Sequence, residues 1–122
     1  MFDTHAHVHD RQFDADRAEM LARARAAGVE TMLTVGCDLS DSRRAIDTAH
    51  ELGLYASAGI HPHEAKDAPR DLAAAFEELL DNDGVVAIGE TGLDYHYDHS
   101  PRDDQRAVFR AQLALAKTRR LP

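Results

Sequence analysis

Met1-Phe2-Asp3-Thr4-His5-Ala6-His7-Val8-His9 sets a short apolar start directly against alternating imidazoles. On an extended segment His5 and His7, two positions apart, leave the same face and can close on one metal ion. A matching arrangement stands downstream in Val85-Val86-Ala87-Ile88-Gly89-Glu90, where an apolar, β-branched run ends in glycine and then a carboxylate. Both stretches read as a strand that ends in a ligand. Thr31 to Val35 and Leu54 to Ala58 join Met1 to Thr4 and Val85 to Ile88 as expected strands, and each is followed by a helical pattern. Strand starts recur every twenty to thirty residues or so, about the length of a βα unit, which implies an α/β fold of parallel (βα) repeats.

The first helix is expected at about Asp14 to Ala27, with Met20, Ala24 and Ala27 on one face and Gly28 as its stop. The second is expected from Asp41 behind Ser40 as N-cap, turning Ala45, Ala49 and Leu52 inward before Gly53. Leu72, Phe76, Leu79 and Leu80 give the third its buried stripe, with Pro69 suited to the first turn. Ser100-Pro101 opens the fourth, whose Asp103 and Asp104 near the start and Lys117, Arg119 and Arg120 near the end complement the helix dipole. Leu121-Pro122 stands where a fifth strand would begin. Four parallel strands can form an open sheet, and an uncovered edge at Val85 to Ile88 would invite self-association.

The 122 residues are expected to form a single α/β domain spanning 1-122, with apolar residues at 43% and charged residues at 30%, enough for a core and too ordered a composition for disorder. No run approaches the ~18 apolar residues of a membrane span, and no basic start precedes an apolar core, so a cytoplasmic location with no membrane contact is expected. The single Cys37 excludes an internal disulfide, in keeping with a reducing compartment. A formal charge of −8 argues against a protein held to nucleic acid mainly by a basic surface. For a polyanionic substrate, bound cations would have to supply the local attraction. Arg43-Arg44 and the basic end of the last helix are short clusters on expected exposed faces, without an aromatic stripe.

Seven of the eight histidines fall after expected strands: His5, His7 and His9 after the first, His61 and His63 after the third, His96 and His99 after the fourth. Only His50 falls within a helix, where it reads as a surface or packing residue. In parallel α/β folds the carboxyl ends of the strands are where loops converge and sites form, so a metal centre is expected there. His5 and His7 are the expected ligands. Glu90 is the catalytic candidate and a third ligand, able to bridge two cations through its two oxygens. His61, between Gly59-Ile60 and Pro62, is expected to meet a substrate oxygen, and His63 to assist it. Asp94 is expected to orient a ligand or hold its loop, while His9, Asp10, His96 and His99 read as rim residues. Cys37 has no specified base and is not expected to act as nucleophile or ligand. A phosphate-binding G-x-x-x-x-G-K-[ST] loop, a G-x-S-x-G elbow and paired cysteines are all lacking.

Phe2-Asp3-Thr4-His5-Ala6-His7, Gly59-Ile60-His61-Pro62-His63-Glu64 and Ile88-Gly89-Glu90-Thr91-Gly92-Leu93-Asp94-Tyr95, in this order and spacing, resemble the TatD-type metal-dependent deoxyribonucleases of the amidohydrolase-like superfamily. The resemblance runs across the whole chain. It implies a TIM-type (βα)8 barrel of which these four βα units form the first half, one or two divalent cations (Zn, Mg or Mn), and hydrolysis of phosphodiester bonds of single-stranded DNA or DNA 3′ ends. Carried over by position, His5 and His7 bind one metal and Glu90 links it to a second; apart from the resemblance, Asp3 is expected beside Asp94 among the residues behind the ligands. The expected reaction is attack of a metal-activated water on phosphorus. The alternatives are hydrolysis of another ester, amide or phosphomonoester bond on the same scaffold, or an inactive metal-binding half-barrel.

Overall fold

Strands β1 (Phe2–Ala6), β2 (Thr31–Val35), β3 (Tyr55–Ala58) and β4 (Val85–Ile88) form one parallel sheet in the order β1-β2-β3-β4, in a computed structural model that describes every residue from Met1 to Pro122. Helices α1 (Arg17–Ala26), α2 (Leu39–Leu52), α3 (Leu72–Leu80) and α4 (Arg102–Arg119) alternate with them. Neighbours in sequence are neighbours in the sheet. That is the order of a singly wound βα barrel, not of a doubly wound sheet whose strand order reverses.

The apolar cluster joins strand residues Met32, Ala56, Ala58, Val85 and Ile88 to Ile46 and Ala49 of α2, the α3 stripe and Leu115 of α4. Phe76 lies at its centre, fully buried. Full burial of side chains of this kind contributes roughly 1.5–3 kcal/mol each, which fixes the helices on the sheet and so fixes where the strands end.

The helix starts follow side-chain caps that displace several expected boundaries. Asp38, not Ser40, caps α2, accepting from Asp41 N at 2.7 Å, and Ser40 lies inside the helix. Asp71 caps α3 by accepting from Ala74 N at 3.0 Å, so Pro69 precedes the helix instead of occupying its first turn. The first helix begins at Arg17 instead of Asp14. Asp10 caps a separate 3₁₀ turn at Arg11–Phe13, and the Arg17 guanidinium fastens the intervening loop through Val8 O at 2.7 Å and Asp10 O at 3.1 Å. Leu21 is the buried residue of α1, with Met20 and Ala24 half-buried; Ala27 is exposed because it has already left helical geometry as the C-cap.

The expected uncovered edge at β4 is partly engaged. Ile88 N donates to Pro122 O at 2.9 Å, bringing the chain after α4 back beside the strand. No helix is long and apolar enough to cross a membrane.

Candidate metal centre

Every strand delivers at least one side chain to a cavity of about 410 Å³ at its C-terminal end: His5 and His7 from β1, Cys37 after β2, His61, His63 and Glu64 after β3, and Glu90 after β4. The β1–β2 register shifts between Asp3 and Ala6, an irregularity of the kind that re-aims a side chain, and His5 lies within it. His5 Nε2 stands 3.5 Å and His7 Nε2 4.0 Å from Glu90 Oε2, and ligand atoms of the three residues all lie within 4.8 Å of one another. On its other oxygen, Glu90 Oε1 is 3.6 Å from His61 Nε2. The Cys37 thiol donates to Glu90 Oε2 at 3.8 Å, and the basic groups beside this half-buried carboxylate are imidazoles, not lysine or arginine.

Hydrogen bonds at the far side of each ring assign its near side. His7 Nδ1 lies 2.9 Å from Val35 O, a carbonyl that can only accept, so Nδ1 carries the proton and the Nε2 lone pair faces Glu90. Two imidazole nitrogens, one held in the metal-binding tautomer, beside an otherwise unbalanced carboxylate suit a divalent cation. His61 is set the opposite way. Its Nδ1 accepts from His63 N at 3.1 Å, which places the proton on Nε2 and makes that nitrogen a donor. Burial lowers the His61 pKa, with Glu90 opposing, so the ring favours this neutral donor form.

The other expected site residues divide between the centre and its supports. Asp3 Oδ1 accepts from the His5 backbone at 3.1 Å and so holds the strand, not the ring. Asp94 pairs with His63 Nε2 and accepts from His96 N at 2.9 Å and Tyr97 N at 3.0 Å. The His63 hydrogen bond, then the Tyr97 amide, hold its carboxyl down at about 2.

His9 is not a rim residue: it is 2% exposed, with Nδ1 at 2.6 Å from Thr34 Oγ1 and Nε2 at 3.0 Å from Asp41 Oδ2. Asp41 also accepts from Cys37 N at 2.9 Å and from Arg44, which ties the loop after β2 to α2. Burial pushes the Cys37 thiol up to about 12, aided by Asp41 and Glu90, leaving it uncharged and unsuited to nucleophilic attack. His50 is exposed on α2.

Two buried glutamines of α4 complete the support, and neither was anticipated from the sequence. Gln112 accepts from Ile60 N at 2.8 Å and donates to Ile60 O at 2.9 Å, clamping the approach to His61. Gln105 accepts from Asp94 N at 2.8 Å and donates to Asp94 O at 3.0 Å and Ser100 O at 2.9 Å, clamping the turn after Glu90. Their only signal was a spacing of seven, which puts both on the helix face that also carries Val108 and Leu115.

Parallel βα units wound in sequence order, with imidazoles and a carboxylate gathered at the carboxyl ends of successive strands, place the chain in the (βα)-barrel class with a candidate metal centre. The family model described as TatD related DNase matches residues 2–122, and the chain belongs to that family. It is 46% identical over 123 residues to an uncharacterized metal-dependent hydrolase, YabD, of Bacillus subtilis, covering 100% of this chain and 48% of that protein. It is 44% identical to the 3′-5′ ssDNA/RNA exonuclease TatD of Cronobacter turicensis, covering 100% of this chain and 47% of that protein. Among solved structures, the TatD homolog YJJV of Escherichia coli K12 superposes with a TM-score of 0.91 at 30% identity, over 100% of this chain and 48% of that one. The chain thus spans about half the length of the curated relatives it matches, and its four βα units correspond to the first half of a TatD TIM barrel.

Proposed function

We propose that the protein is a metal-dependent hydrolase of phosphodiester bonds in nucleic acid, acting on single strands or 3′ ends of DNA. The observation that carries this reading is the convergence within 4.8 Å of His5, His7 and Glu90, which lie at the ends of the first and last strands and more than eighty positions apart in the chain. The names of the relatives, an ssDNA/RNA exonuclease and a metal-dependent hydrolase, point the same way. His5, His7 and Glu90 are the residues that would hold a divalent cation, Zn, Mg or Mn, and Glu90 would link it to a second where two are bound. When bound, such an ion supplies Lewis-acid polarisation and neutralises charge developing on phosphate oxygens.

The chain's own groups do the rest. Neutral His61, with its proton on Nε2 beside the cavity, donates to a phosphate oxygen without adding a charge that would repel the cation. His63, held by Asp94, lines the cavity beside it and is the second group offered to substrate. Val35 O keeps His7 oriented.

Incubation of the protein with a 3′-labelled single strand and Mg²⁺, Mn²⁺ or Zn²⁺ tests this. Glu90→Ala is expected to reduce cleavage by at least about a hundredfold; cleavage unchanged in that variant would rule the assignment out.

A further inference from the structure

We propose that Tyr97 and His99, stacked beside the metal centre, form a platform that receives a nucleobase of the single-stranded substrate; this rests on the phosphodiesterase reading above. The chain has three tyrosines and no tryptophan, and two of the tyrosines lie in the short loop that follows Glu90. Tyr97 is 64% exposed and Tyr95 38%, and the Tyr97 ring meets His63, which lines the cavity. Rings are more often spent in a core than left in water, so their placement asks for a partner.

The geometry supplies a pair of parallel rings next to the cavity wall. The Tyr97 and His99 rings are parallel within 1°, centroids 5.7 Å apart. His63, which lines the cavity, meets them edge-on at 5.9 Å and 4.5 Å, and His61 meets His63 edge-on at 4.3 Å. A line of rings therefore runs outward from Glu90, the inner members suited to a phosphate oxygen and the outer pair to a base.

The loop is held in place although its rings are exposed. Tyr97 N donates to Asp94 at 3.0 Å, Gln105 donates to Ser100 O at 2.9 Å, and Lys66 Nζ donates to His99 O at 3.2 Å. A surface ordered before binding loses little conformational freedom on receiving a ligand. The loop's acids are already engaged, Asp94 by His63 and Asp98 by Arg102 at 2.6 Å, so rings, not free carboxylates, face an incoming strand.

Charge explains why such a platform is needed. At a net −8 the protein gains little from long-range attraction of phosphates. Base–aromatic stacking is independent of the sign of the surface and tolerant of sequence, because every base has a π-face.

Binding of an uncleavable phosphorothioate oligonucleotide, measured by fluorescence anisotropy with Mn²⁺ present, is compared with binding of the same backbone carrying abasic sites. The wild-type protein is expected to prefer the base-bearing strand by about tenfold or more. Tyr97→Ala should erase that preference, Tyr97→Phe should keep it, and the ratio should change little with salt. Equal affinity of the wild-type protein for both strands, with cleavage intact, overturns the platform alone, as does a folded Tyr97→Ala that keeps the preference. Failure to bind either strand, together with failure to cleave, overturns the phosphodiesterase reading and the platform with it.

Discussion

Glu90 and His9 show how the partners around a side chain decide whether it is open to a ligand. Glu90 keeps 27% of its side chain exposed among imidazole nitrogens that have lone pairs or protons to offer the cavity. His9, two residues beyond His7, has both nitrogens satisfied by Thr34 and Asp41 and is closed to any ligand. Those partners lie 25 and 32 residues along the chain, which is why an alternating His-x-His-x-His run cannot by itself say where the site stops. Asp41 gives this residue pair a measurable signature. Burial opposes its ionisation, but hydrogen bonds from His9, the Cys37 amide and Arg44 outweigh that and hold its carboxyl well below the ordinary 3.8. A group depressed in the folded state adds stability that is complete above its unfolded value and disappears as pH falls toward its folded one. The wild-type protein should therefore lose stability between about pH 5 and pH 2 more steeply than Asp41→Asn. At neutral pH that variant should be weaker by about 2 kcal/mol, because a charge-assisted network becomes a neutral one. Urea titrations across that range check both statements, and parallel pH profiles for the two proteins would contradict them.

At the scale of elements, the strand positions were largely readable and the loop anchors were not. Thr31 to Val35 and Val85 to Ile88 match β2 and β4 because short β-branched runs bounded by turn residues suit a parallel strand buried under helices. The starts of α2 and α3 moved because the loops bring the Asp38 carboxylate to Asp41 N and that of Asp71 to Ala74 N, a choice settled by loop geometry. Gln105 and Gln112 looked like ordinary helix residues; only the backbone of Asp94 and Ile60 reveals why they are buried. The join between β3 and β4 is equally hidden in sequence. A Cβ at Gly59 would lie 2.6 Å from Gly89 C and 2.7 Å from Gln112 Oε1, so the two strands meet there backbone to backbone. Gly59→Ala is expected to destabilise the protein by about 2–3 kcal/mol, since backbone cannot yield as a flexible side chain would. Thermal and urea unfolding measure the loss, and a variant as stable as the wild type would show that the strands have room to part.

For the whole molecule, the histidines and Glu90 are scattered in sequence and assembled by winding. Each βα crossover returns the chain to the same end of the sheet, so residues placed after successive strands converge without any local signal linking them. That logic made the gathering of His5, His7, His61, His63 and Glu90 foreseeable, whereas the rotamers and tautomers that decide between ligand and donor required the surrounding carbonyls and amides.

The assembled donor set is tested most directly by Mn²⁺ binding to the purified protein, read by electron paramagnetic resonance as free ion is depleted. The wild-type chain is expected to bind the ion, with His5→Ala, His7→Ala and Glu90→Ala each weakening it by about tenfold or more. Retention of wild-type affinity in all three variants would contradict a shared centre at the strand ends.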